Sequence, residues 1–422
     1  MKVIHLSFSD IIGGAARSSY RIHRSLLKAE IDSCMWVNKA KTDDQTIEKP
    51  TGIIERILTE FRSPLISNSL VKILKTKNMI IHSPSVLKSR WIKLINASDA
   101  DIVHLHWIQN EMLSISDIGK IKKPIVWTLH DMWAFCGAEH YTQDHRWREG
   151  YLKNNRPANE SGFDLNRWTW KRKEKFWKTP IQIVTPSKWL AECVNESKLM
   201  HNWPVNVISY PIDTDFWKPI SKKIMRELLG LPKDVPLLLF GAFNSDKDQR
   251  KGYDLLLSAL ENLKDQPKFK DVELVVFGQN KPKLPTKHAV PIHYMGKIHD
   301  DETLRAIYNS ADAMLIPSRQ DNLPNIAVEA HACGVPVISF NVGGLPDIIE
   351  HQKTGYLAKP FEIEDLANGI LWFLSHPDKK HLNNYTREQA VLKFSQKKVA
   401  EEYFNIYRNL LKKQISTMLL FA

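Results

Sequence analysis

The chain opens on an apolar run over residues 2–8 that turns polar at Ser9 and Asp10. It then passes through Ile11-Ile12-Gly13-Gly14 and resumes with a helical apolar period from Ala15 to about Ala29. Apolar runs of strand length recur at residues 33–37, 101–107, 125–130 and 181–185, with a further short run near 205–209 and a helix from Lys188. Residues 52–95 read as helices broken at Pro64 and Pro84, while 137–178 is polar and has no clear period. The stretch 210–219, YPIDTDFWKP, mixes prolines with acidic and aromatic residues and reads as a linker. Beyond it the alternation restarts, with strands at 237–240, 272–277, 292–295, 313–316 and 335–340. Helices are expected from Tyr253, over 301–310 and 364–374, and from about 395 to 411. Strands alternating with helices indicate parallel, doubly wound sheets. A chain of 422 residues exceeds one ordinary core. The expected architecture is therefore α/β, with Rossmann-like domains at 1–212 and 213–394, a cleft between them, and a helix at 395–422 packing back toward the first.

Residues 317–338, PSRQDNLPNIAVEAHACGVPVI, follow the strand at 313–316 and complete a strand–loop–helix–strand unit carrying two carboxylates, Asp321 and Glu329. Pro324 suits the first helical turn, and Gly334 suits the left-handed helix end. Asp321 then lies in the loop and Glu329 about a turn and a half inside the helix. Loops at the carboxyl edge of parallel strands are where ligands bind. The alternative is an acidic residue favoured by the helix dipole plus one solvated glutamate. At the first strand-to-helix turn, Gly13 and Gly14 let backbone N–H groups approach a phosphate. A plain tight turn fits them equally well, because GxGxxG is absent and the second strand is followed by Asn38 and Lys39 rather than an acid.

Hydrophobic content of 43% and charged content of 25% are those of a soluble globular protein. No apolar run reaches the roughly 20 residues that span a bilayer. Four cysteines without CxxC spacing fit a reduced, cytoplasmic protein and argue against a zinc site. The net charge of +12 is uneven: residues 1–210 hold 31 Lys/Arg against 21 Asp/Glu, which leaves the N-terminal half at +10. That excess implies an anionic partner, whether nucleic acid, acidic membrane or phosphorylated substrate. No nucleic-acid module accompanies it. RWTWKRKEKFWK, residues 167–178, reads either as an interfacial helix on anionic lipid or as a helix with packed aromatics and solvated cations.

The glycine turn IIGGAARSSYRIHRSL, HLHW (104–107), TLHDMWAFCGAEHY (128–141), TPSKWL (185–190), PIDTDFW (211–217), RKGYDLL (250–256) and the 317–338 segment occur in order. Together they resemble the retaining, nucleotide-sugar-dependent glycosyltransferases of family four, which have the GT-B fold. DNLPN followed by EA and CGVPV resembles a subgroup that builds bacterial surface polysaccharides. The resemblance implies that Glu329 holds the donor ribose, that Asp321 holds hydroxyls of the transferred sugar, and that Asn322, Leu323, Pro324 and Asn325 line sugar and phosphate. It implies that Arg250 and Lys251 face the diphosphate, that Gly13 and Gly14 approach it from the opposite domain, and that His130 stands near the reacting sugar. Without the resemblance, His130 reads as a cap or core histidine. The implied donor is a nucleoside-diphosphate sugar and the acceptor a glycan or lipid-linked glycan. Neither a metal nor a cofactor is expected, and peripheral contact with an anionic membrane follows from lipid-linked acceptors. Two positions depart from the family pattern. Ala242 and Phe243 follow Gly241 where relatives carry an Arg, so Arg250 is expected to substitute, and Asp321 stands where a longer Glu is usual. The alternatives are a GT-B epimerase or phosphorylase, a catalytically silent sugar-binding member, and a basic nucleic-acid-binding protein.

Overall fold

A computed structural model describes residues 1–420 except 51, 53–60, 62–67, 77, 79, 242–247 and 282–287. The chain forms two compact units, one of Met1–Pro211 with Val399–Ala422 and one of Ile212–Lys398.

The N-terminal unit holds β1 (Lys2–Ser9), β2 (Asp32–Lys39), β3 (Ile47–Glu48), β4 (Leu74–Lys75), β5 (Ile102–Leu105), β6 (Ile125–Thr128), β7 (Ser161–Gly162), β8 (Gln182–Thr185) and β9 (Val205–Val207). Seven of these form a sheet in the order β3-β2-β1-β5-β6-β8-β9, every neighbour parallel. Val3, Leu6, Val103, Leu105, Val126 and Ile183 are buried along it, as expected for strands covered on both faces. The strand order reverses between β1 and β5, so the loops leaving those two strands bracket the switch point of the sheet. The final helix, Gln396–Leu420, returns to this unit. Its Tyr403 hydroxyl lies 2.9 Å from Thr128 Oγ1, and its Tyr407 hydroxyl lies 2.7 Å from His104 Nδ1.

Two readings of this unit change. Within the 52–95 stretch expected to be helical, Asn68–Ile73 and Trp91–Ala97 are helices, but residues 76, 78 and 80–90 are not. Side chains rather than a helical ladder satisfy the backbone around Pro84. Arg172 donates to the carbonyls of Pro84 and Ser85, and the Glu111 carboxylate accepts from the N–H groups of Val86 and Leu87. The expected break at Pro64 lies outside the described residues. The second change concerns the segment 167–178, most of which falls in the helix Leu165–Phe176, capped by Asp164 accepting from the Arg167 N–H. Trp170 and Trp177 are buried, so its aromatic face belongs to the domain core rather than to a bilayer. Lys171 and Lys175 are solvated, but Lys173 is fully buried. Its ammonium donates to the carbonyls of Trp133, Cys136 and Gly137 and lies 3.9 Å from the Trp133 ring centroid. Among the described residues no helix is long and apolar enough to cross a membrane.

The C-terminal unit holds β10 (Leu237–Gly241), β11 (Glu273–Phe277), β12 (Ile292–Tyr294), β13 (Ala313–Ile316), β14 (Val337–Phe340) and β15 (Gly355–Ala358). Their order is β12-β11-β10-β13-β14-β15, again all parallel, with the reversal between β10 and β13. The edge strand β15 and the helix Lys379–Phe394 were not anticipated from the sequence. That helix buries Leu382, Thr386, Ala390 and Phe394 at four-residue spacing. Only two of the four are large and apolar, too few to show a period.

Candidate functional site

In the C-terminal unit, the polar side chains gather on the loops that leave β10 and β13, the two strands at the switch point. Lys251 follows β10 and Asp321 follows β13. The Lys251 ammonium donates to Asp321 Oδ2 at 2.7 Å, both side chains being largely shielded. Backbone contacts fix this meeting. Gly252 has φ +66°, and a Cβ there would stand 1.9 Å from the Pro317 carbonyl oxygen. Gly343, on the loop after β14, has φ +56° and presses as closely on the carbonyl oxygen of Asp321 itself. Only glycine tolerates both the left-handed backbone and the approach.

Arg250 forms a two-pronged pair with Asp248, at 2.7 and 3.1 Å. Arg319 grips both oxygens of Asp254 and the Gln249 carbonyl, and its N–H donates to the Arg250 carbonyl at 2.7 Å. The basic loop 248–254 is thus stitched to the 317–321 loop. Asp248, Asp254 and Arg319 were not singled out from the sequence. Ala242 and Phe243, which occupy the usual arginine position, lie outside the described residues.

Pro324, at φ −66° and ψ 119°, caps the helix Asn325–Ala332 rather than entering it, and no side chain caps that end. Asn322, Leu323 and Pro324 are buried and Asn325 half-buried. Glu329 is 2% exposed, and its Oε2 accepts from the Tyr308 hydroxyl at 2.7 Å. Gly334 closes the helix at φ +73°.

In the N-terminal unit, the glycine turn follows β1. Gly13 caps the helix Gly14–Lys28, which has no side-chain cap and no acid in its first turn. A Cβ on Gly13 would meet nothing within 4 Å. Asp10 organises this turn. It is fully buried, and its carboxylate accepts from the N–H groups of Ile11, Lys41 and Thr42 at 2.7–2.8 Å and from the Thr42 hydroxyl at 3.0 Å. Burial alone would raise its pKa, but these hydrogen bonds to the anion outweigh it and the value is lowered.

His130 lies two residues beyond β6 and is 8% exposed. Its Nδ1 is 2.7 Å from the Tyr210 hydroxyl and its Nε2 is 3.2 Å from His106 Nδ1. Desolvation lowers its pKa to about 4, against a small opposing effect of Asp131, so the ring is neutral near pH 7. The neighbouring Asp131 accepts from His140 Nδ1 at 2.6 Å, and His140 Nε2 reaches Ser83 Oγ at 2.9 Å. Ser83 is buried, so this Ser-His-Asp line ties the loop down and offers no nucleophile.

Among the described residues, one group has metal-ligand spacing: His5, His104 and His106, each offering a ring nitrogen within 4.8 Å of the others. Both nitrogens of His104 and of His106 already take part in hydrogen bonds. Three neutral imidazoles would also leave a dication uncompensated in a dry core, at a severe desolvation cost. The cluster reads as a hydrogen-bonded layer instead. Cys136, Cys193 and Cys333 are buried free thiols and Cys34 is half-buried.

Gly13, Gly14 and His130 therefore belong to the N-terminal unit, and Arg250, Lys251, Asp321 to Asn325 and Glu329 to the C-terminal one. In each unit they lie on the loops that leave the carboxyl ends of the strands and on the helices that follow those loops. The profile described as Glycosyltransferase Family 4 matches residues 12–216, and that described as Glycosyl transferases group 1 matches residues 235–376. An uncharacterized glycosyltransferase of Methanocaldococcus jannaschii is 27% identical over 54% of this chain, and a D-inositol 3-phosphate glycosyltransferase of Saccharomonospora viridis is 27% identical over 48%. The matched stretches span 60% and 50% of those relatives' own lengths. The crystal structure of Anabaena HepE in complex with UDP and glucose superposes with a TM-score of 0.63 at 15% identity, covering 97% of this chain and 100% of that one. Two family profiles in sequence order, one on each doubly wound sheet, establish that the chain belongs to glycosyltransferase family four and has the GT-B fold.

Proposed function

We propose that the chain is a retaining glycosyltransferase. It moves a sugar from a nucleoside-diphosphate sugar to a glycan or lipid-linked glycan during assembly of a cell-surface polysaccharide or lipopolysaccharide. The observation that carries this reading is the Lys251–Asp321 pair at the β10/β13 switch point, with Glu329 on the helix that follows. Departure of a nucleoside diphosphate builds negative charge, and prepositioned cations facing that charge are the main electrostatic requirement. Lys251 and Arg250 supply them. Each cation is held by a carboxylate, which keeps it at the sheet edge. When donor binds, its phosphates take over the ammonium and its sugar hydroxyls take over Asp321. A carboxylate has several lone-pair sites, so the Tyr308 contact leaves Glu329 capacity for ribose hydroxyls. Gly13 and Gly14, at an uncapped helix start, suit an anion.

The relatives named above are glycosyltransferases, which supports sugar transfer, and the UDP and glucose held by HepE make uridine donors the first to test. The charge of +10 over residues 1–210 supports peripheral contact with an anionic bilayer, which flotation with anionic vesicles at physiological salt would test. The reaction is tested by incubating the chain with a panel of nucleotide sugars and lipid-linked glycan acceptors and following nucleoside diphosphate release. The anomer of the product is read by NMR. Retention is expected, and an inverted linkage would sink the assignment of mechanism. Donor binding without turnover across the panel would favour the catalytically silent alternative.

A further inference from the structure

Side chains from four separate segments of the N-terminal unit stand in one line. His5 Nδ1 meets His106 Nε2 at 2.9 Å, His106 Nδ1 meets His130 Nε2 at 3.2 Å, and His130 Nδ1 meets the Tyr210 hydroxyl at 2.7 Å. His5 and His106 are enclosed and His130 nearly so. Resting on the glycosyl-transfer reading above, we infer that His106 and His5 are positioning residues: they hold His130 as the neutral Nδ1–H tautomer, its ring fixed between His106 and Tyr210.

The argument is a proton count. Each N–H···N contact holds one proton, and each neutral imidazole carries one. The direction of any one link therefore sets the direction of all. If the rings donate toward His5, the last proton sits on His5 Nε2, a buried atom with no hydrogen-bond partner among the described residues. If they donate toward Tyr210, that atom is only an unused acceptor, and the rotatable Tyr210 hydroxyl turns its own hydrogen away from His130. Orphaned buried N–H groups are rarer than under-used acceptors. The favoured order runs from His5 Nδ1–H to His106 Nε2, from His106 Nδ1–H to His130 Nε2, and from His130 Nδ1–H to the Tyr210 oxygen.

The surroundings keep the line neutral. His104 packs against His5 and His106 with ring centroids at 4.7 and 4.1 Å, and is itself tied to Thr128 and Tyr407. His23 lies 5.6 Å from His5, Tyr403 lies 5.2 Å from His104, and the Tyr141 hydroxyl approaches the His130 carbonyl. Asp131 is the adjacent anion, and its carboxylate is engaged by His140, Trp107 and the Trp133 N–H. Burial lowers the pKa of His5, His104 and His106 well below the ordinary value. A His130 so held is a fixed wall of the site rather than a proton carrier. Tyr210, which closes the line, stands immediately before the chain leaves this unit at Pro211.

The test combines pH–rate profiles with tautomer assignment by NMR on protein carrying 15N-labelled histidine. Wild type should show no histidine ionisation in kcat between about pH 5.5 and 8, and His130 should carry its proton on Nδ1. His106→Asn, which keeps an amide N–H near the Nδ1 position, should stay within about threefold of wild-type kcat, whereas His106→Leu should lose about tenfold or more with donor KM little changed. Without a donor to its Nε2 lone pair, His130 in the Leu variant is no longer held in one tautomer, and a proton on Nε2 should become populated in the NMR spectrum. Tyr210→Phe tests the opposite end without opening the core if the Leu variant fails to fold. Wild-type kcat with an unchanged His130 tautomer in both His106→Leu and Tyr210→Phe, or a proton on His130 Nε2 in wild type, would overturn the inference. Absence of turnover in wild type would count against the transfer reading, while the NMR assignment would still decide the proton order.

Discussion

The Lys251 ammonium and the Asp321 carboxylate meet at 2.7 Å although 70 residues separate them in the chain. Two glycines enforce the meeting, one beneath each partner. Gly252 lets the basic loop lie against Pro317, and Gly343 lets the loop after β14 lie against Asp321. A cation and a carboxylate are thereby delivered to one edge of one sheet.

Removing either partner should harm the reaction more than the fold. Lys251→Ala and Asp321→Ala are each expected to lower kcat/KM by about 10²-fold, the scale of losing a preorganised electrostatic group. Steady-state kinetics with a saturating acceptor checks this. Activity within twofold of wild type in either variant would remove that residue from the site.

Gly252→Ala and Gly343→Ala should each destabilise the C-terminal unit by about 2–4 kcal/mol, adding left-handed strain for an L-residue to a steric clash. Urea denaturation measures the change. Gly230→Ala is the control: its φ is +64° but nothing lies within 4 Å of a Cβ there, so it should show only the strain.

Asp10 makes the glycine turn sensitive to acid. Its folded pKa is lowered, so its contribution is present above the unfolded value of about 3.9 and is lost as pH falls through the lower folded value. Asp10→Asn should cost about 1–3 kcal/mol at neutral pH, and the gap from wild type should narrow as pH falls toward about 2.5. A gap that stays constant across a pH series of denaturation curves would contradict the ionised, hydrogen-bonded Asp10 described here.

Lys173 anchors the loop that carries His130 and Asp131. Burial pulls its pKa down to about 7, yet three carbonyl oxygens face the nitrogen and only the ammonium has three N–H groups to satisfy them. Lys173→Met keeps the length and orphans all three carbonyls. A loss of about 3 kcal/mol or more is expected, with reduced turnover as the loop relaxes. A variant as stable as wild type by calorimetry would contradict the anchoring role.

Much of the fold was legible because buried parallel strands and amphipathic helices leave strong periods, and the order of motifs pointed to two sheets. The helix Lys379–Phe394 was not, since Thr386 and Ala390 occupy half of its buried face. Within the site, Asp321 and Glu329 were visible as neighbours on one loop and helix. The pairing of Lys251 with Asp321, the clamp of Arg319 on Asp254, and Asp10 under the glycine turn were not. Each depends on which loops a sheet brings together, and no local period records that. The histidine layer had a partial signal: His104 and His106 alternate along one strand and share a face. The missing step was register, because only pairing of β1 with β5 places His5 opposite His104.

The central claim is that the C-terminal unit binds a nucleotide sugar through Glu329 and its neighbours. The most direct measurement is the thermal stability of wild type and Glu329→Ala against a panel of nucleotide sugars. A donor present at 100 times its Kd should stabilise wild type by about 2.7 kcal/mol and Glu329→Ala much less at the same concentration. If no nucleotide or nucleotide sugar raises the stability of wild type, or if Glu329→Ala responds as fully as wild type, the donor site is not the one described.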